Sequence, residues 1–163
     1  MGNETRVVGS EGVAAFESPA GEDVVVRASG DESGGSYDLI EVTIPPGPGV
    51  TPMHVHHEMD EAMYVLEGEV TVQFGDDRRV LEPGSYAMAP RGVPHTYRNS
   101  GDGEARVLFI DTPGNSWRYL EEAAEHGPVE DESDMERILP ILESHGIEVV
   151  GPPLDGGGGG DER

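Results

Sequence analysis

His54 to Gly68 reads HVHHEMDEAMYVLEG. Two histidines stand two positions apart, His54 and His56, and a carboxylate, Glu61, follows five positions later in a segment that otherwise suits a sheet. On a strand, side chains two apart project from the same face, so both imidazoles can aim at one point inside a barrel. That arrangement grips a metal ion.

A second stretch, GSYAMAPRGVPHTYRN from Gly84 to Asn99, adds turn residues at Gly84, Pro90 and Gly92 and a histidine, His95, opening a short strand. Together the two stretches resemble the paired signatures of the cupin superfamily. The first has the form H-x-H, four residues, E, six residues, G, filled by His54, His56, Glu61 and Gly68. The second has the form G, five residues, P-x-G, two residues, H, three residues, N, filled by Gly84, Pro90, Gly92, His95 and Asn99. At odds of about one in ten per fixed position, chance agreement is on the order of one in a billion per register. The family usually places a glycine six positions before the first histidine; Pro48 stands there, flanked by Gly47 and Gly49, which can supply the same tight turn. The resemblance implies four metal ligands, His54, His56, Glu61 and His95. It also implies an all-β fold, the cupin double-stranded β-helix or small jelly-roll barrel, here followed by a short C-terminal helical segment.

Composition agrees with one small, turn-rich domain. The chain has 163 residues, a hydrophobic fraction of 35%, 24 glycines and 13 prolines, as short-stranded architectures require. Cysteine is absent, which excludes disulfides and thiolate ligands, so any metal sits on nitrogen and oxygen. Thirty-three acidic residues against 10 basic ones, all arginine, give a formal charge of −23. Such a surface repels phosphate backbones and anionic membranes, and neither nucleic acid nor membrane is an expected partner. A solvated surface, or a high-salt host that screens the carboxylates, accounts for the excess without a binding role. No run of 18 apolar residues occurs, and MGNETRVVGSEGVAAF lacks the basic start and apolar stretch of a secretory signal. The expected address is cytoplasmic.

Four regions differ in texture. Residues 1–34 mix short apolar runs with Gly, Ser and acidic residues, as edge strands or an arm would. Residues 35–112 form the expected barrel, with strands at Tyr37–Ile44, Glu61–Leu66, Glu69–Phe74, Arg78–Leu81, Ser85–Ala89, His95–Asn99 and Ala105–Ile110, each bounded by turn formers. Residues 113–154 change to a helical period. Ser116–Glu125 carries Trp117, Leu120 and Ala124 at helical spacing, and Ser133–His145 carries Met135, Ile138, Leu139 and Leu142 behind a capping box of Ser133 and Glu136. Pro140 is expected to kink or split that helix. The acidic, Gly-rich tail at 155–163 has nothing to bury and is expected to be disordered.

Neighbouring residues sort by strand parity. His57 points away from His54 and His56, and Glu58 and Asp60 are expected to be solvated or to support the site from behind. His126 and His145 have no partner at metal spacing and read as surface residues. Met63, Val65, Met88, Tyr97 and Phe109 either line a pocket around the metal or pack in the core. Tyr97 shares His95's face, where a phenol can donate a hydrogen bond or a proton to a ligand.

Imidazoles with one carboxylate suit a divalent transition metal, iron, manganese, nickel, cobalt, copper or zinc, without choosing among them. The short gap between the motifs and the run DEAMYVLEGEVTVQFGD resemble the small cupins of the quercetin-dioxygenase-like group. That resemblance implies a chelating enol or flavonol-like small-molecule substrate, with Glu61 both ligand and base; Tyr97 is the candidate assisting group by its parity with His95, and a homodimer is the expected assembly. Two other functions fit the same scaffold: a metal-dependent isomerase, epimerase or lyase, and a non-catalytic metabolite- or metal-binding module.

Overall fold

The structure, a computed structural model, describes residues 4–154; the expected disordered tail lies outside the described residues. Two strands, β1 (Ala14–Glu17) and β2 (Asp23–Ala28), precede a one-turn helix, α1 (Gly30–Ser33). The body follows: β3 (Asp38–Ile44), β4 (Pro52–His56), β5 (Asp60–Glu67), β6 (Val70–Phe74), β7 (Asp77–Leu81), β8 (Tyr86–Ala89), β9 (His95–Asn99) and β10 (Ala105–Thr112). Two helices, α2 (Arg118–Ala124) and α3 (Glu132–Ser144), and a last strand, β11 (Ile147–Pro153), complete the chain. The strands form two sheets, in the orders β1-β2-β3-β10-β5-β8 and β11-β4-β9-β6-β7. Neighbouring strands run antiparallel, and the sheets together make the mostly-β sandwich that the motifs implied.

β10 shows how alternation writes the fold. Ala105, Val107, Phe109 and Asp111 are buried, and the residues between them are half-buried. The strand sits between β3 and β5, and its inner face meets Ile40, Val65 and Val72 in the main core. Each aliphatic or aromatic side chain so buried stabilises the fold by about 1.5–3 kcal/mol.

The motif residues outside the ligand set hold turns. Gly68, between β5 and β6, has φ +78, and a Cβ there would lie 2.7 Å from Cα of Ala105. Only glycine fits both the left-handed backbone and that approach. Asn99 is buried and donates to the carbonyls of Ile44 and Gly103 while accepting from Gly101 N–H, tying the β9–β10 turn to the end of β3.

Past the barrel, Asp38 is the anchor. It is fully buried and accepts from the backbone N–H groups of Gly30, Asn115, Ser116 and Trp117 at 2.7–3.1 Å. These bonds fix the entry to α2 and turn Trp117 into the main core instead of onto a helix face. In α3 the cap is Asp131, whose side chain accepts from Ser133 N–H and Asp134 N–H, so the expected capping box at Ser133 and Glu136 is not the one used. Pro140 stands inside a continuous α3, exposed, and does not split it.

The C-terminal region is not wholly helical, because residues 147–153 add an edge strand to β4. In register, Ile147 faces His56 and Val149 faces His54. The prolines at its end are tolerated because an edge strand has one side with no ladder to complete. Among the described residues no helix is long and apolar enough to cross a membrane.

Candidate metal centre

His54 and His95 are cross-strand partners on β4 and β9. His56 lies two positions along β4, and Glu61 reaches in from β5 of the opposite sheet, so the centre bridges the two layers. All four are buried, and one ligand atom from each lies within 4.8 Å of the others. Nδ1 of His54 is 2.8 Å from Pro52 O and Nδ1 of His95 is 2.9 Å from Val93 O. A carbonyl only accepts, so each ring carries its proton on Nδ1 and turns the Nε2 lone pair inward. Nε2 of His54 and His56 are 3.1 Å apart, and Nε2 of His56 is 3.1 Å from Glu61 Oε2. Nε2 of His95 is buried without a hydrogen-bond partner among the described residues, with Glu61 Oε1 at 3.6 Å. Lone pairs converging on one point beside an orphaned nitrogen fit a divalent cation with nitrogen and oxygen ligands.

Electrostatics treat the ligand residues unequally. Burial, with His95 and His56 beside it, lowers His54 to about 4, so its ring is neutral near pH 7. Burial pushes Glu61 up, but the contact with His56 at 3.1 Å and the charges of His56 and His95 outweigh it and hold the carboxyl well below the usual range. Burial likewise opposes a proton on His95, and Glu61 outweighs it, leaving His95 raised.

Strand parity sorted most of the neighbours. His57 is exposed and lies 2.8 Å from Glu148 on β11, away from the centre. Glu58 is exposed. Asp60 accepts from Arg91, through backbone N–H at 2.8 Å and guanidinium at 3.1 Å, clamping the two motifs together. His126 is exposed; His145 is half-buried, 3.2 Å from Glu122, with its ring 6.3 Å from Tyr119. Met63 lies beside Glu61 and His95, whereas Val65 is fully buried in the main core. Met88 does not line the site: it pairs with Ala62 and points outward, leaving Ala87 and Ala89 on the inner face of β8.

An open-mouthed chamber lies against the centre and has His54 and Glu61 in its wall. Tyr97 and Phe109 also line it, their ring centroids 5.4 Å apart. Three wall residues were not foreseen. Glu22 is buried and accepts from Tyr97 Oη at 2.9 Å and Ser18 Oγ at 3.1 Å. Burial raises its carboxyl, against those hydrogen bonds, and Glu61 adds to the rise. Asp111 faces Glu61 across the β10–β5 ladder, and burial, with the charges of Glu61 and Asp38, pushes it well above the ordinary range. Tyr119 enters from α2, its ring 6.0 Å from that of His56. Parity along ARVLFIDT could have found Asp111, since it falls on the face of Val107 and Phe109; no local signal marks Glu22 or Tyr119.

Comparison with known proteins follows this geometry. Residues 40–111 match the family model of the cupin domain. Quercetin 2,3-dioxygenase of Bacillus subtilis is 33% identical over 90 residues, 55% of this chain but only 26% of that protein's length. A sugar phosphate isomerase of the cupin superfamily from Silicibacter pomeroyi superposes with a TM-score of 0.50 at 27% identity, covering 56% of this chain and 59% of the other. A predicted oxalate decarboxylase from Thermotoga maritima shares the fold at a TM-score of 0.58 and 19% identity, covering 65% and 97%. With both motifs filled, their four ligand-type residues converging between two sheets, and the family model matching there, residues 40–111 of this chain form a cupin domain.

Proposed function

We propose that this cupin is a metal-dependent dioxygenase of the quercetin-dioxygenase-like type, acting on a chelating enol or flavonol-like small molecule. The observation that carries this reading is the placement of two of the four ligand-type residues, His54 and Glu61, in the wall of a largely apolar chamber. His54, His56, Glu61 and His95 hold the metal. When bound, the divalent transition metal supplies a Lewis-acidic point with open positions for a substrate oxygen and dioxygen. Glu61 accepts the enol proton, which leaves an electron-rich enolate as the species that dioxygen oxidises. Tyr97 lines the same wall, and its hydroxyl, paired with Glu22, presents a polar contact to the substrate.

Elemental analysis of unchelated protein should find the metal, and His54→Ala and His95→Ala should each lower bound metal by more than about tenfold. Full retention in both would refute the ligand assignment. With the native metal restored, an oxygen electrode should record uptake on adding a flavonol or 1,3-diketone, lost in Glu61→Gln. Carbonyl isomerisation without oxygen uptake would instead identify an isomerase or lyase, and absence of turnover a binding module. The expected homodimer is checked by light scattering, where a mass of 17.4 kDa would exclude it.

A further inference from the structure

The chamber wall has two unlike parts. On the barrel side are Val24, Ile40, Val42 and Phe109, inner-face residues of the six-stranded sheet. Opposite them α2, α3 and β11 form a separate small core around Ala123, Ile138, Leu142 and Ile147, and these residues also line the chamber. The C-terminal segment therefore roofs the cavity beside the metal ligands, and it does so with aliphatic side chains. Charge is distributed just as unevenly. The chain carries 10 basic residues, yet among the described residues no arginine lines the chamber. Its ionisable carboxyls are Glu22, Glu61 and Asp111. Arg98 lines an adjoining pocket that shares Glu22 and Tyr97 with the chamber.

Away from the metal, a phosphate or carboxylate entering this space would be desolvated, would meet no arginine and would face the carboxyls of Glu22 and Asp111, each an opposing contribution. An apolar group would gain about 25 cal/mol per Å2 removed from water. We infer that the chamber selects an electrically neutral, largely apolar ligand, and that the α2–α3–β11 roof sets how large that ligand can be. The inference deepens the proposed function and rests on it for the enol that meets the metal. It disfavours ligands that carry a phosphate or a second carboxylate away from the metal. Glu22 and Tyr97 are among the polar groups on the wall that can meet a hydroxyl or carbonyl of the ligand, and burial keeps the Glu22 carboxyl raised.

The test is calorimetric binding to the metal-loaded protein with three probes: 1,3-diphenylpropane-1,3-dione, acetylacetone and fructose 6-phosphate. The diphenyl diketone should bind at least about tenfold more tightly than acetylacetone, because its two rings bury apolar surface. Fructose 6-phosphate should bind more weakly than either diketone. Ala123→Phe, which fills the roof, should reduce the diphenyl-over-acetylacetone preference by about tenfold, with metal content checking that the centre is intact. Leu142→Ala, which widens the roof, should increase that preference, and an unmoved preference in it decides against the inference if Ala123→Phe does not fold. Tighter binding of the phosphate, or a size preference unmoved by both variants, overturns the inference. Because binding is read without turnover, tight diketone binding with no oxygen uptake would sink the dioxygenase reading while leaving the chamber assignment standing.

Discussion

Glu22 sits about as deep as the metal ligands but has a different electrostatic history. It is 6% exposed, accepts from Tyr97 and Ser18, and has Glu61 as its nearest charged influence. Burial is the largest cause, and it raises the folded carboxyl above its ordinary 4.5. The folded state therefore keeps a proton that the unfolded chain releases. Stability from this group is complete below the unfolded value and is lost as pH rises through the folded one. Glu22→Gln removes that titration while keeping an acceptor for Tyr97. Urea unfolding of variant and parent between about pH 4.5 and 8 should show the variant gaining relative stability as pH rises. A constant difference across that range contradicts the assignment. At this scale the sequence was informative where motif and parity coincide, as at His54, His56, Glu61 and His95. It was silent at Glu22, whose burial comes from strands distant in the chain.

Elements tell a mixed story. The seven barrel strands expected from turn-bounded alternation all occur, and β9 has the expected ends. β11 was missed, because IEVV follows a helix directly and becomes a strand only by pairing with β4. Pro140 was expected to break α3 and does not, since packing of Ile138 and Leu142 against Ala123 and Ile147 holds the helix on both sides of it. Local propensity loses to tertiary burial there. Pro140 is exposed, so Pro140→Ala restores one helical N–H without disturbing a contact. The variant should gain about 1–2 kcal/mol in chemical unfolding, proline's helix penalty less its stiffening of the unfolded chain. Unchanged or lower stability would show that α3 is already strained to fit the proline. At the β5–β6 turn the opposite holds. Gly68→Ala should cost about 1–3 kcal/mol, because the new methyl needs both a left-handed backbone and space occupied by Ala105. A loss under about 0.5 kcal/mol would mean the turn relaxes freely.

Across the whole molecule the charge of −23 works against compaction at low ionic strength. Thermal unfolding should shift upward as sodium chloride rises from about 10 mM to 1 M, since the Debye length shrinks from about 30 Å to 3 Å. A midpoint that is flat or falls with salt would show that the acidic surface is already balanced locally. The sequence by itself determined the fold class and the four ligand-type residues, because both are carried by two short motifs, His54 to Gly68 and Gly84 to Asn99, whose spacing resembles the cupin signatures. Tertiary structure decided that His54 and His95 stand opposite one another and that Glu61 meets them from the other sheet. It also decided that β11 and two helices roof an apolar chamber over them. Those features depend on which strands pair and which faces oppose, contacts between segments as far apart as Glu22 and Tyr97, and no window of local sequence contains both partners.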